Sequence, residues 1–388
     1  MRKKIIITVI VIAIIILGVL LNGKNIFSNT EDSKSTQENV PITQQNLTID
    51  EKVDQIVASM SQTEKLGQMV MIGIQGTKVD DDSLYMLNQY HMGGVILFDR
   101  NMESPEQVKQ LTSDLQAQSN EKVPLFIGID EEGGDVVRMA EKLTPPPSQK
   151  EIGATGDIEQ AKTWAIKTAK SLKDIGINVN LAPVADVGSN DKRSYSTDAN
   201  TVIDFVRAAT KGYQQENIIY SLKHFPGIGK GKVDSHIDSS SIDVVKEVLM
   251  TEDILPFKTI IDENEPNDYF ILVSHLKYPA LDEEYPASLS SKIMTDLLRN
   301  ELGYKGIIIT DDMEMGAVAN HNDFRSIGVN AVKAGADIVL VCHEYEHQQE
   351  VYLGLLDAVN SGEISQERID ESVKKNYQSE IITFISMI

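Results

Sequence analysis

The stretch "GIIITDD" (306–312) poses the fold question: an apolar run without alternation that stops on two acids. A strand with one wet face alternates apolar and polar residues; a short continuous run is what a parallel strand covered on both faces requires. Seven further segments read the same way: "MVMIGI" (69–74), "GGVILF" (93–98), "PLFIGID" (124–130), "NVNLAPV" (178–184), "IIYSLKHF" (218–225), "YFILVSH" (269–275) and "ADIVLVC" (336–342). Helical patterns lie between them, as in "SPEQVKQLTSDLQAQ" (104–118), "SLSSKIMTDLLRNEL" (288–302) and "QEVYLGLLDAV" (349–359). Eight such strands alternating with helices predict an α/β protein of the (β/α)8 barrel type, a fold of about 250 residues that tolerates long insertions. An open doubly wound sheet is the alternative, but its glycine-rich first turn is not visible.

A barrel gathers its chemistry just after the strands, at their C-terminal ends. The polar residues there are Asp130, Glu131, Glu132, Asp186, Lys223, His224, His275, Asp311, Asp312 and His343. So many ionisable groups at strand ends point to one functional mouth. An acidic mouth with a few cations suits a divalent metal or a cationic transition state such as a sugar oxocarbenium ion. Asp311 or Asp312 is then the candidate carboxylate. Asp234 and His236 stand two apart in the glycine-rich loop "KHFPGIGKGKVDSH" (223–236), so on an extended backbone their side chains share a direction. An aspartate bonded to a histidine fixes its tautomer and keeps it protonatable near neutral pH. The glycines and lysines of this loop fit neither phosphate-binding template, and loop mobility is the expected reason for them.

Taken together, "KHFPG" followed by "DSH", with "GGVILFDRN" (93–101), "IDEEGGDVVRM" (129–139), "LAPVADV" (181–187), "RSY" (193–195) and "ITDDMEMGA" (309–317), resembles glycoside hydrolase family 3, in its bacterial β-N-acetylhexosaminidase branch. The resemblance covers essentially the whole folded region. It implies a retaining hydrolase with Asp311 as nucleophile and His236, paired with Asp234, as acid/base. It assigns sugar contacts to Asp130, Arg193, Lys223 and His224, and it calls for no cofactor and no metal. The implied reaction removes non-reducing terminal β-linked N-acetylglucosamine, from peptidoglycan fragments given the location expected below. Broader β-hexosaminidase or β-glucosidase activity and a catalytically degenerate sugar-binding barrel are the alternatives. Three departures bear on substrate preference: Ile228 stands where the family usually has histidine, Asp135 follows "EGG", and "GKGK" (229–232) replaces a polar stretch.

Net charge is -22, from 58 acidic and 36 basic residues, which argues against a nucleic-acid partner because phosphate binding needs a basic surface. Arg2, Lys3 and Lys4 precede the apolar run 5–21, long enough to span a bilayer, and no small-residue cleavage site follows. The expected organisation is an anchor over 1–22, a flexible polar linker over 23–48 and a single catalytic domain over 49–388. The basic end would be cytoplasmic and the barrel extracytoplasmic, or secreted if the leader is cleaved. The chain is expected to act as a monomer, touching the membrane through that helix alone. "HEYEH" (343–347) satisfies the zinc-protease pattern H-E-x-x-H, but it begins directly after a strand instead of inside a helix, so a polar loop and helix start is expected. His275 is weighed between a rim hydrogen bond and the substrate, Asp312 is expected to orient neighbours, Glu132, beside two glycines in a turn, to hold rim structure, and Cys342, the only cysteine, to be a small buried apolar residue.

Overall fold

Each of the eight apolar runs carries a strand. In chain order these are β1 (Val70–Gly73), β2 (Gly94–Leu97), β3 (Phe126–Ile129), β4 (Val179–Asn180), β5 (Ile219–Phe225) and β6 (Tyr269–Val273). A small antiparallel hairpin follows, β7 (Lys277–Tyr278) with β8 (Asp282–Pro286), and then β9 (Ile307–Thr310) and β10 (Val339–Val341). A computed structural model describes residues 47–119, 124–138, 143–188, 192–231 and 240–387. Asp234, His236, the apolar run 5–21 and nearly all of the polar linker lie outside the described residues. Among those described, no helix is long and apolar enough to cross a membrane.

The strands form one eight-stranded parallel sheet in the order β10-β1-β2-β3-β4-β5-β6-β9. The ring is completed where Ile309 bridges Ile338, with Thr310 N–H donating to the Ile338 carbonyl at 3.1 Å and the Thr310 hydroxyl accepting from Leu340 N–H at 3.0 Å. The result is the expected (β/α)8 barrel. The hairpin was not anticipated, because "DEEYP" has no apolar run to announce it.

Side chains alternate in and out along the strands except at the end of β5, where the register shifts, Leu222 and Phe225 both pack outward and Lys223 and His224 both reach the mouth. On β9, Ile307 and Ile309 fill the barrel interior while Ile308 packs outward against the helices; on β6, Phe270 and Leu272 point in and Ile271 out. Gly128 of β3 is an inward position whose space is filled by the Met71 methyl, which an added Cβ would meet at 2.5 Å. Continuing this period of two brings Phe98, Asp130, Leu181, Asp311 and Cys342, each just past its strand, and Lys223, within β5, to the mouth.

The C-terminal helix Gln366–Met387 packs on the barrel. It buries Ile369, Val373 and Tyr377 and ties to the first helix, Ile49–Ser59, through Lys374–Asp54 at 2.7 Å. Beneath it, fully buried Asp337 pairs with Arg299, with Arg368 at 3.5 Å and with Lys375 at 3.3 Å.

Candidate active site

The strand ends open into a cavity of about 330 Å³. Asp130, Arg193, Lys223, His224 and Asp311 all line it, joined by Glu132, Arg138, Ile228, Asp312 and His343. Five of the seven residues expected in the site are therefore brought to one cavity. The other two, Asp234 and His236, lie outside the described residues.

One wall is a lattice of buried charges. Lys223 Nζ, at the end of β5, lies 2.6 Å from Asp130 Oδ1 and 2.5 Å from Glu132 Oε1. Glu132 also receives both forks of Arg193, Nε at 2.9 Å and Nη2 at 2.8 Å. Burial pushes the Glu132 carboxyl up, but Lys223 and Arg193 outweigh it and hold the group well below the usual carboxylate range. Burial likewise pushes the Lys223 ammonium down, and Asp130 and Glu132 more than reverse it. Arg193 Nη2 sits 2.9 Å from His224 Nε2. A guanidinium has no lone pair to offer, so this ring nitrogen accepts, and Nδ1–H donates to Asp186 Oδ2 at 2.8 Å. The other Asp186 oxygen accepts the backbone N–H of His224 at 3.2 Å and of Ile228 at 2.9 Å.

Glu132 and Asp186 are thus the hubs of the lattice, a role the sequence reading did not give them. Glu131 points away from the cavity, accepting Arg138 N–H at 2.8 Å, and burial pushes its carboxyl up to about 7. That bond closes the turn that carries Arg138 toward Asp130, with Nη2 at 3.5 Å from Oδ2, and over the Phe98 ring.

Across the cavity, Asp311 continues the inward face of β9, and its Oδ1 accepts the N–H of Asp312 at 3.0 Å. Asp312 Oδ1 accepts two backbone N–H groups, from Glu314 and Cys342, both at 3.1 Å. Asp312 therefore shapes the turn, as expected. His275 is 1% exposed and does not line the cavity; its ring is held between Ser288 Oγ at 2.7 Å and the Asp312 carbonyl at 2.8 Å. Cys342 is buried, and burial raises its thiol well above its ordinary value, which suits an inert packing group.

Asp135, the departure after "EGG", is exposed, pairs with Lys192 at 3.0 Å and lies off the cavity. Residues 226–231 are not slack. Lys230 reaches Asp253 at 2.5 Å and Glu252 at 2.8 Å, and Tyr278 hydroxyl donates to the Gly227 carbonyl at 2.9 Å. Gly227 has φ of +124°, and an added Cβ would lie 2.9 Å from Asp253 Cβ. Close approach, not motion, requires that glycine.

The family described as "Glycosyl hydrolase family 3 N terminal domain" matches residues 61–378. Beta-hexosaminidase A of Pseudoalteromonas piscicida is 34% identical over 321 residues, covering 75% of this chain and 53% of that protein. A beta-hexosaminidase of Nitrosomonas eutropha is 30% identical over 318 residues, covering 78% of this chain and 90% of that protein. Among solved structures, a family 3 β-N-acetylglucosaminidase from Paenibacillus sp. superposes with a TM-score of 0.81 at 36% identity, over 84% of this chain and 64% of that one. This chain thus spans about half of the first of these relatives and most of the second. A match over most of the folded region, on a barrel whose mouth carries the expected groups, means that the chain belongs to glycosyl hydrolase family 3.

Proposed function

We propose that the protein is a retaining β-N-acetylhexosaminidase that releases non-reducing terminal N-acetylglucosamine, with peptidoglycan fragments as its source. The observation that carries this reading is the position of Asp311 on the same 330 Å³ cavity as the Asp130–Lys223–Glu132–Arg193–His224 lattice. That volume sits at the small end of ligand sites, suited to a terminal sugar and not to a long glycan. The relatives' printed names, beta-hexosaminidase and β-N-acetylglucosaminidase, support the substrate class.

In this mechanism Lys223, Asp130 and Arg193 hold the sugar hydroxyls, and His224, whose two ring nitrogens are taken by Arg193 and Asp186, fixes Arg193 instead of holding the sugar itself. Their mutual ion pairs and hydrogen bonds keep them in place before substrate arrives, so little ordering remains at the moment of reaction. An Asp311 oxygen attacks the anomeric carbon, and the glycosidic C–O bond breaks as His236 gives its proton to the leaving oxygen. Water then attacks the glycosyl–Asp311 ester, its proton passes to His236, and Asp311 leaves as a carboxylate. Asp234 fixes the histidine. A neutral imidazole after the first step does not repel the ester, as a second carboxylate would. Expected placement is outside the cytoplasmic membrane on an anchor formed by 5–21; fractionation tests it, and full-length protein in the cytosolic fraction would refute it.

The direct experiment is hydrolysis of a chromogenic β-N-acetylglucosaminide and the matching β-glucoside by the wild type, Asp311→Asn and His236→Ala. Retention in the first-formed product, preference for the N-acetyl substrate and loss of about 10³-fold or more in Asp311→Asn are expected. Inversion, or wild-type turnover in Asp311→Asn, would reject the mechanism. Sugar binding without turnover would leave only a binding barrel.

A further inference from the structure

The H-E-x-x-H pattern remains without a part in the reaction, and its two histidines face the turn that carries Asp311. That turn, 311–315, contains two acids besides Asp311, and each meets one of the histidines. His343 Nε2 lies 3.3 Å from Asp312 Oδ2. His347 Nδ1 lies 2.6 Å from Glu314 Oε1. Backbone donors reinforce both points: Glu314 accepts Glu344 N–H at 2.9 Å and His343 N–H, and Asp312 accepts Cys342 N–H.

We propose that His343 and His347 are positioning residues, a two-point clasp that fixes the 311–315 turn against the start of helix Tyr345–Ser361 and so aims Asp311. The proposal rests on the reading of Asp311 as the nucleophile.

Both rings are themselves anchored. His343 Nδ1 is 3.2 Å from Arg100 Nη1, which can only donate, so Nδ1 accepts and Nε2 carries its hydrogen toward Asp312. Arg100 is fixed in turn on the Ile74 carbonyl at 2.9 Å and the Cys342 carbonyl at 2.5 Å, bridging β1 and β10. The His347 ring stacks on Phe324 with centroids 3.8 Å apart. Such a clasp has a reason to exist at this place. The 311–315 turn follows directly on β9 with Asp311 at its root, and a misplacement of about 1 Å at a reacting atom costs on the order of 10²-fold in rate.

A metal is the competing use of these groups, since ligand atoms of Asp312, Glu314 and His343 lie within 4.8 Å of one another. The hydrogen bonds favour the clasp. The carboxylate oxygens already accept N–H groups, and a guanidinium touches the same imidazole that would bind the cation.

The test compares His343→Ala, His343→Gln and Asp311→Asn in the full chain, measuring kcat, KM and Tm with the chromogenic N-acetylglucosaminide. His343→Ala is expected to lower kcat about tenfold with KM within about twofold, and His343→Gln, whose amide N–H can reach Asp312, to recover most of it. Wild-type kcat in His343→Ala beside an inactive Asp311→Asn would overturn the clasp alone. Full turnover in Asp311→Asn would remove both the nucleophile and the clasp. Equal loss of Tm and kcat in the alanine and glutamine variants would reduce His343 to a general stabilising residue. About one equivalent of bound zinc, lost with activity on chelation, would replace the clasp with a metal site.

Discussion

Lys223 Nζ and Glu132 Oε1 lie 2.5 Å apart, with the two side chains only 3% and 2% exposed. Neither charge has bulk water to fall back on, so each depends on the other and on Asp130 and Arg193. Glu132→Gln should cost about 3–5 kcal/mol of stability, because it takes a buried counter-charge from fully buried Lys223 and from half-buried Arg193. It should also raise KM through the loosened Lys223 and Arg193. Glu132→Gln combined with Lys223→Met should cost less than the sum of the single changes, since the pair is removed together. Thermal unfolding of the four proteins checks this; strict additivity would deny the coupling.

Glu131 predicts a pH dependence. Burial raises its pKa from 4.5 to about 7, so the folded protein holds this proton more tightly than the unfolded chain. The stability so gained is complete below about pH 4.5 and is lost as pH rises through about 7, on the order of 3 kcal/mol. Glu131→Gln keeps an oxygen for Arg138 N–H and should flatten that part of the stability profile, leaving the variant more stable than wild type at pH 8. Parallel profiles for the two proteins would contradict the assignment.

Gly227→Ala should lower stability by about 2–4 kcal/mol, from a left-handed backbone carrying a Cβ and from the clash with Asp253. A variant with unchanged Tm would mean that the 226–231 turn yields easily, against the tethering described for Lys230 and Tyr278.

Asp337→Ala should cost about 3–5 kcal/mol, because it leaves Arg299, Arg368 and Lys375 facing one another around a buried gap. Asp337 precedes β10 and so lies at the opposite end of the barrel from the cavity. At a temperature where the variant is folded, kcat should stay within about twofold of wild type. A large kcat loss there would show that the base of the barrel communicates with its mouth.

The barrel could be read from sequence because parallel strands buried on both faces leave continuous apolar runs, and all eight did. The site was legible to the extent that the period of two extends past those runs: Asp130, Lys223 and Asp311 each continue an inward row. What escaped depends on contacts distant in sequence. Glu132 reads as rim decoration beside two glycines until Arg193 and Lys223 are brought to it from other strand ends. Gly227 reads as a hinge until Asp253, from a later segment, is found against it. The hairpin β7–β8 has no apolar pattern at all, and "HEYEH" owes its meaning to two acids on another loop.

The lattice of Asp130, Glu132 and Asp186 with Lys223, Arg193 and Arg138 carries its counter-ions within itself, three carboxylates beside three cations. Buried pairs are screened far less than exposed ones. If an uncharged sugar binds among them as proposed, it displaces no mobile ions, and its capture is decoupled from ionic strength. On the proposed reading, the chain can then hold a net charge as large as -22 for colloidal reasons while the affinity of the mouth for a neutral sugar stays nearly independent of salt.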